Sequence, residues 1–220
     1  MTGRYSEDEL VKIIAEAALA VISRVNGSGA PYAPVGVSNR HVHLGREDMD
    51  TLFGRGSELT VRNPVGQPGQ FAAAETVTLQ GPKGSIGHVR ILGPFRPETQ
   101  IEISLTDARA LGIDSPIVLS GLLEGTPGIG IAGSVGSVAK KRGVITALRH
   151  VHMLPSTAKK WGLKNGEEVE VKVDGDRGGI MSGVIVRAAD NSELELHVDV
   201  DEANAFHLKN GDRLEIIKKS

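Results

Sequence analysis

The chain has 220 residues, enough for one large domain or two small ones, and 40% hydrophobic with 24% charged residues is an ordinary globular balance. Its net charge of −2 argues against a general nucleic-acid binder, and the lack of cysteine excludes disulfides, thiolate metal ligands and a cysteine nucleophile. No apolar run approaches the ~18 residues that a membrane span requires, and the N-terminus is too polar and acidic for a secretory signal, so a soluble cytoplasmic protein with no membrane partner is expected. Aromatic residues are scarce at 3% and glycine is abundant at 28 residues. Many turns, short strands and a core of Val, Ile, Leu and Ala are expected from this.

Residues 6–25 read as a helix. Ser6 is an N-cap, Glu9 completes a capping box, and Leu10, Ile13, Ile14, Ala17, Val21 and Ile22 form one apolar stripe. Asn26, Gly27, Ser28 and Gly29 end it in a flexible link, so this helix is separable: either a packing element or an amphipathic targeting peptide. From Ala33 onward the pattern is strand-like. Residues 35–38, 76–79, 87–92, 100–104, 167–173, 183–187, 194–200 and 213–217 alternate with period two or nearly so. Gly128, Gly130 and Gly133 match a G-x-G-x-x-G pattern, but Ser134 to Val138, directly after it, make a poor helix start. A glycine-rich loop between strands is expected there rather than a dinucleotide fingerprint. Residues 158–171 and 203–216 repeat one another as a short helix, a tight turn and a strand, and 48–61 and 107–119 resemble them more loosely. Two related barrels of about 100 residues would give this pattern.

Arg40-His41-Val42-His43-Leu44 and Arg149-His150-Val151-His152-Met153 carry four of the seven histidines and lie 109 positions apart. In an extended strand residues i and i+2 share a face, so each H-x-H pair aims two imidazoles at one point. Imidazole is a common ligand for zinc, and two copies in matching contexts predict a paired metal centre. With no cysteine, further ligands must be His, Asp, Glu or water; His197 is the best additional histidine, and Glu102 alternates with two isoleucines. His88 and His207 are set aside, His207 as a turn residue. Arg40 and Arg149 point away from the histidines in a strand, which leaves a structural role and a substrate contact both open. Arg96, in the rigid turn Gly93-Pro94-Phe95-Arg96-Pro97, would sit near Glu102 with a guanidinium suited to phosphate.

Residues 37–44, Gln67 to Phe71, Ile91 to Pro94, Arg149 to Met153 and His197 to Ala205 together resemble the PduL-type phosphotransacylases, the phosphate propanoyltransferase family. The resemblance runs from about Val35 to the C-terminus. It implies a mainly β fold with short helices (α+β): two β-barrel domains capped by short helices, one inserted into the other. The implied division is 1–28 as N-terminal helix and linker, 29–39 plus 148–220 as one barrel, and 40–147 as the inserted barrel. The resemblance also implies two Zn2+ ions per chain, CoA as substrate, and exchange between acyl-CoA plus phosphate and acyl phosphate plus CoA. Carried onto this sequence, His41, His43 and Glu102 match the ligands of one zinc and His150, His152 and His197 those of the other. Arg96 matches the catalytic arginine, and Ser120 and Gly121 a Ser-Gly pair near the active site. A homodimer and a place inside a bacterial microcompartment, among shell or cargo proteins, are further expectations. A metal-dependent acyl-CoA or ester hydrolase is the competing function.

Overall fold

A computed structural model describes residues 31–219. The helix expected over residues 6–25, and any targeting role for it, lie outside the described residues. The chain is mainly β. In order it forms β1 (Tyr32–Ser38), β2 (His41–His43), α1 (Arg46–Phe53), β3 (Val61–Pro64), β4 (Phe71–Gln80), β5 (Ser85–Gly93), β6 (Gln100–Glu102), α2 (Leu105–Leu111), β7 (Ile117–Val118), β8 (Gly130–Ala132), β9 (Ser137–Ala139) and β10 (Val144–Ala147). The remaining elements are β11 (His150–Met153), α3 (Pro155–Trp161), β12 (Glu168–Val173), β13 (Gly179–Ala188), β14 (Glu195–Asp199), α4 (Val200–Phe206) and β15 (Arg213–Lys218).

Two sheets divide these strands. β1 and β11 to β15 close a six-stranded barrel, while β2 to β10 form a nine-stranded sheet that does not close. The chain therefore leaves the barrel after β1 and returns to it at β11. The sheet ends on β7 and β9, strands of two and three residues that offer little edge to pair. Each sheet has its own apolar core. Val35, Val151, Val171, Val186 and Leu196 belong to the barrel core, and Val42, Leu79, Ile91, Ile101 and Val144 to the other.

The helix–turn–strand repeat is present in all four copies. Met49 and Leu52 of α1 and Ala108 and Leu111 of α2 bury against the open sheet; Ala158 of α3 and Ala203 of α4 bury against the barrel. Three helices end on a left-handed residue: Gly112, Gly162 and His207 (φ 57°). His207 thus has the turn role expected of it, at a position where glycine is easier. The G-x-G-x-x-G glycines serve close packing. A Cβ on Gly128 would lie 1.9 Å from the Lys140 carbonyl oxygen, and one on Gly133 would lie 2.3 Å from that of Leu52.

The two halves also share a register. His41 on β2 faces Glu102 on antiparallel β6, and His150 on β11 faces His197 on antiparallel β14. Each H-x-H strand has a parallel neighbour on its other side, β5 and β13 respectively. The sequence duplication is thus a duplicated three-strand unit with a histidine pair on its central strand.

Candidate active site

His41 and His43 are brought together with Glu102, and His150 and His152 with His197; within each set the potential ligand atoms all lie within 4.8 Å of one another. His41 Nε2 is 3.6 Å and His43 Nε2 3.8 Å from the Glu102 carboxylate, and the Nε2 atoms of His150 and His152 are 3.1 Å apart. The imidazoles are oriented from behind. His41 Nδ1 lies 2.9 Å from the Asn39 carbonyl, His43 Nδ1 3.2 Å from that of Leu92, and His150 Nδ1 2.8 Å from that of Leu148. A carbonyl accepts only, so each Nδ1 carries the proton and each Nε2 offers its lone pair inward. Burial first, then the neighbouring histidines, lowers His150 to about 4 and His152 to about 3. Burial, His41 and Arg96 together lower His43 to about 3. These rings stay neutral, the state in which an imidazole can ligate a metal. Burial disfavours the charge of both His41 and Glu102, but each favours the other's: His41 is raised and Glu102 lowered.

Such donor sets fit a metal: three nitrogens in one set, two nitrogens and an oxygen in the other, each leaving a coordination position open for substrate. Both sets open on one cleft of about 470 Å³ lined from both sheets. Arg96 reaches it from the turn after β5, its Nη2 3.2 Å from His43 Nε2, and burial lowers its pKa against the attraction of Glu102. This is the neighbourhood expected for it. Ser120 also lines the cleft and donates to Glu102 Oε1 at 3.1 Å. Gly121 stands one step back, its N–H donating to Gln100 Oε1 at 2.8 Å.

Arg40 and Arg149, for which the sequence leaves two roles open, are both ion-paired. Arg40 forks onto Asp107 at 2.7 and 2.8 Å, and Arg149 Nε is 2.7 Å from Glu202. Asp107 and Glu202 stand at the same place, five residues beyond Glu102 and His197. The Asp107 and Glu202 pairs are duplicated braces under the two histidine strands. Arg40 also lines the cleft.

Several residues in or behind the cleft wall escaped the sequence reading. Arg187 on β13 faces His152 across the parallel pair and lowers the pKa values of Arg96, His150 and His152. Glu195 lies 2.7 Å from His197 Nε2 and is drawn below the usual carboxylate range first by that contact. Gln100 donates to both Glu102 and Ser120. Period-two alternation puts Glu195 and Gln100 on the ligand face, two residues before His197 and Glu102. That was the available signal for them. Arg187 is placed by strand pairing alone.

A family model described as phosphate propanoyltransferase matches residues 34–209. The chain belongs to the phosphate propanoyltransferase family. A phosphate propanoyltransferase of Rhodopseudomonas palustris (strain BisB18) is 56% identical over 201 residues, covering 91% of this chain and 89% of the relative. One of Thermotoga maritima is 55% identical over 189 residues, 86% of this chain and 90% of the relative. One of Clostridioides difficile (strain 630) is 47% identical over 200 residues, 91% and 95%. Membership in the phosphate propanoyltransferase family makes the chain an acyltransferase. Among the described residues no helix is long and apolar enough to cross a membrane.

Proposed function

We propose that the chain interconverts a short-chain acyl-CoA (propionyl-CoA or acetyl-CoA) and phosphate with acyl phosphate and CoA, by direct transfer in the cleft between the two histidine sets. The observation that carries this reading is the meeting of two inward-facing donor sets with two guanidinium groups, Arg96 and Arg187, in one cleft. His41, His43 and Glu102 would hold one zinc ion, and His150, His152 and His197 the other. Zinc bound there supplies Lewis acidity for a thioester carbonyl and affinity for a thiolate. Arg96 and Arg187, from the two sheets, orient phosphate so that one of its oxygens attacks the carbonyl carbon while the C–S bond breaks and CoA leaves as thiolate. Placing two anionic substrates together supplies much of the rate gain. Ser120 and Gln100 hold the Glu102 carboxylate, and the Asn39, Leu92 and Leu148 carbonyls hold three imidazoles in the tautomer that ligates.

The test is CoA release from propionyl-CoA by zinc-loaded protein with and without phosphate. Release that requires phosphate and yields acyl phosphate is expected. Equal release without phosphate would instead make this a metal-dependent hydrolase. Chelation is expected to abolish turnover, and zinc at two per chain to restore it. We carry the domain division 29–39 plus 148–220 and 40–147, and a homodimer, as parts of the same proposal. Residues 1–28 are proposed as a targeting peptide for a bacterial microcompartment; deleting them should leave activity intact and abolish encapsulation.

A further inference from the structure

Three consecutive residues after the first histidine pair hold the turn that carries Arg96. The Leu44 carbonyl accepts from Arg96 N–H at 2.9 Å, and Gly45 N–H donates to Thr99 Oγ1 at 2.8 Å. The third residue is Arg46. Its Cζ lies 4.5 Å from the ring centroid of Phe95, the residue before Arg96. The Arg46 guanidinium is itself immobilised, donating to Glu58 at 2.8 Å, to Asp50 and to the Ser57 carbonyl. Its Nε is buried and has no hydrogen-bond partner among the described residues.

The duplication separates what the fold needs from what Arg96 needs. In the second half Met153 stands where Leu44 stands, and its carbonyl likewise accepts a backbone N–H, from Ala189, at 3.1 Å. That backbone clasp is common to both halves. The next positions diverge: α1 opens with Arg46, whereas α3 opens with Pro155. Proline is the favoured opening residue, and a cation at a helix N-terminus opposes the helix dipole. The half that departs from this preference is the half whose turn bears an arginine beside the metal ligands.

We propose that Arg46 is a positioning residue for Arg96: its braced guanidinium, stacked on Phe95, fixes the turn that aims Arg96 at phosphate. This rests on the reading of Arg96 as a phosphate contact.

The test is steady-state kinetics of the zinc-loaded full chain, varying phosphate and propionyl-CoA separately. Arg46→Met keeps the aliphatic bulk and removes the cation; Phe95→Leu removes the ring and leaves Arg46 in place. Each is expected to raise the phosphate KM about tenfold, the scale of a partly desolvated cation–π contact, with the propionyl-CoA KM and the zinc content unchanged. In an Arg96→Ala background, Arg46→Met is expected to add nothing to the phosphate KM. An unchanged phosphate KM in both single variants overturns the proposal. So does a loss that falls on both substrates alike, or one that adds in full to Arg96→Ala. If Arg96→Ala itself leaves the phosphate KM normal, the underlying reading of Arg96 fails, whatever Arg46→Met does. Should Arg46→Met not fold, Phe95→Leu carries the same test.

Discussion

An imidazole can ligate a metal only while its lone pair is free of a proton, and burial secures this for His43, His150 and His152. The same burial has a pH signature. Unfolded histidine takes up a proton near 6.5, whereas His150 in the fold does so only near 4. Between these values the unfolded chain binds more protons, so the metal-free protein loses stability as pH falls from 6.5 towards 4, by about 1.4 kcal/mol per pH unit for each such histidine. Urea midpoints of the metal-free protein at pH 7, 5.5 and 4.5 should fall in that order; a flat series would contradict it. On the proposed two-zinc reading, His197→Ala should lower bound zinc from two per chain to one without unfolding the other set, which metal analysis reads directly. Arg187→Ala should raise the phosphate KM, the same direction expected of Arg96→Ala. The four histidines of the repeated H-x-H pairs were legible as candidate ligands because strands alternate, while His197 and Glu102 joined them as ligands through the family resemblance. Arg187 was not legible, since its place opposite His152 depends on which strand β11 chooses as its parallel neighbour, and no local pattern records that choice.

The open sheet and the helix packed on it rely on close backbone approach. Gly128 abuts the Lys140 carbonyl and Gly133 the Leu52 carbonyl. Gly128→Ala should therefore cost at least about 1–3 kcal/mol, the usual range for overpacking, measurable as a lower denaturation midpoint. A dinucleotide-binding loop would instead tolerate the change in stability and lose a ligand. The four helix–turn–strand units were readable from their turns and from residues such as Trp161 and Phe206, which recur at one position of the repeat. Strands β8 and β9 were not. Each is three residues long, too short for a period to show. For the same reason the sequence did not reveal that one sheet closes while the other only curls, since closure depends on whether edge strands find partners.

At the scale of the whole molecule, the barrel is closed by strands far apart in the chain: Gly36 on β1 pairs with His197 on β14. The inserted sheet is built from nearer neighbours, β4 with β5 across a short turn. Distant pairings are slow to form, so the barrel should close after the sheet. The single tryptophan, Trp161, packs on the barrel core. In refolding, its fluorescence should change later than amide protection appears in β4 and β5; coincident changes would refute this order. The topology also sets a timetable during synthesis. The first strand among the described residues waits about 160 residues for its parallel partner, about 8–30 s at ordinary translation rates. His41, His43 and Glu102 have all emerged long before His197. Two candidate ligand sets alike in geometry are thus unequal in age: the first can be assembled on a nascent chain while the second is still being translated.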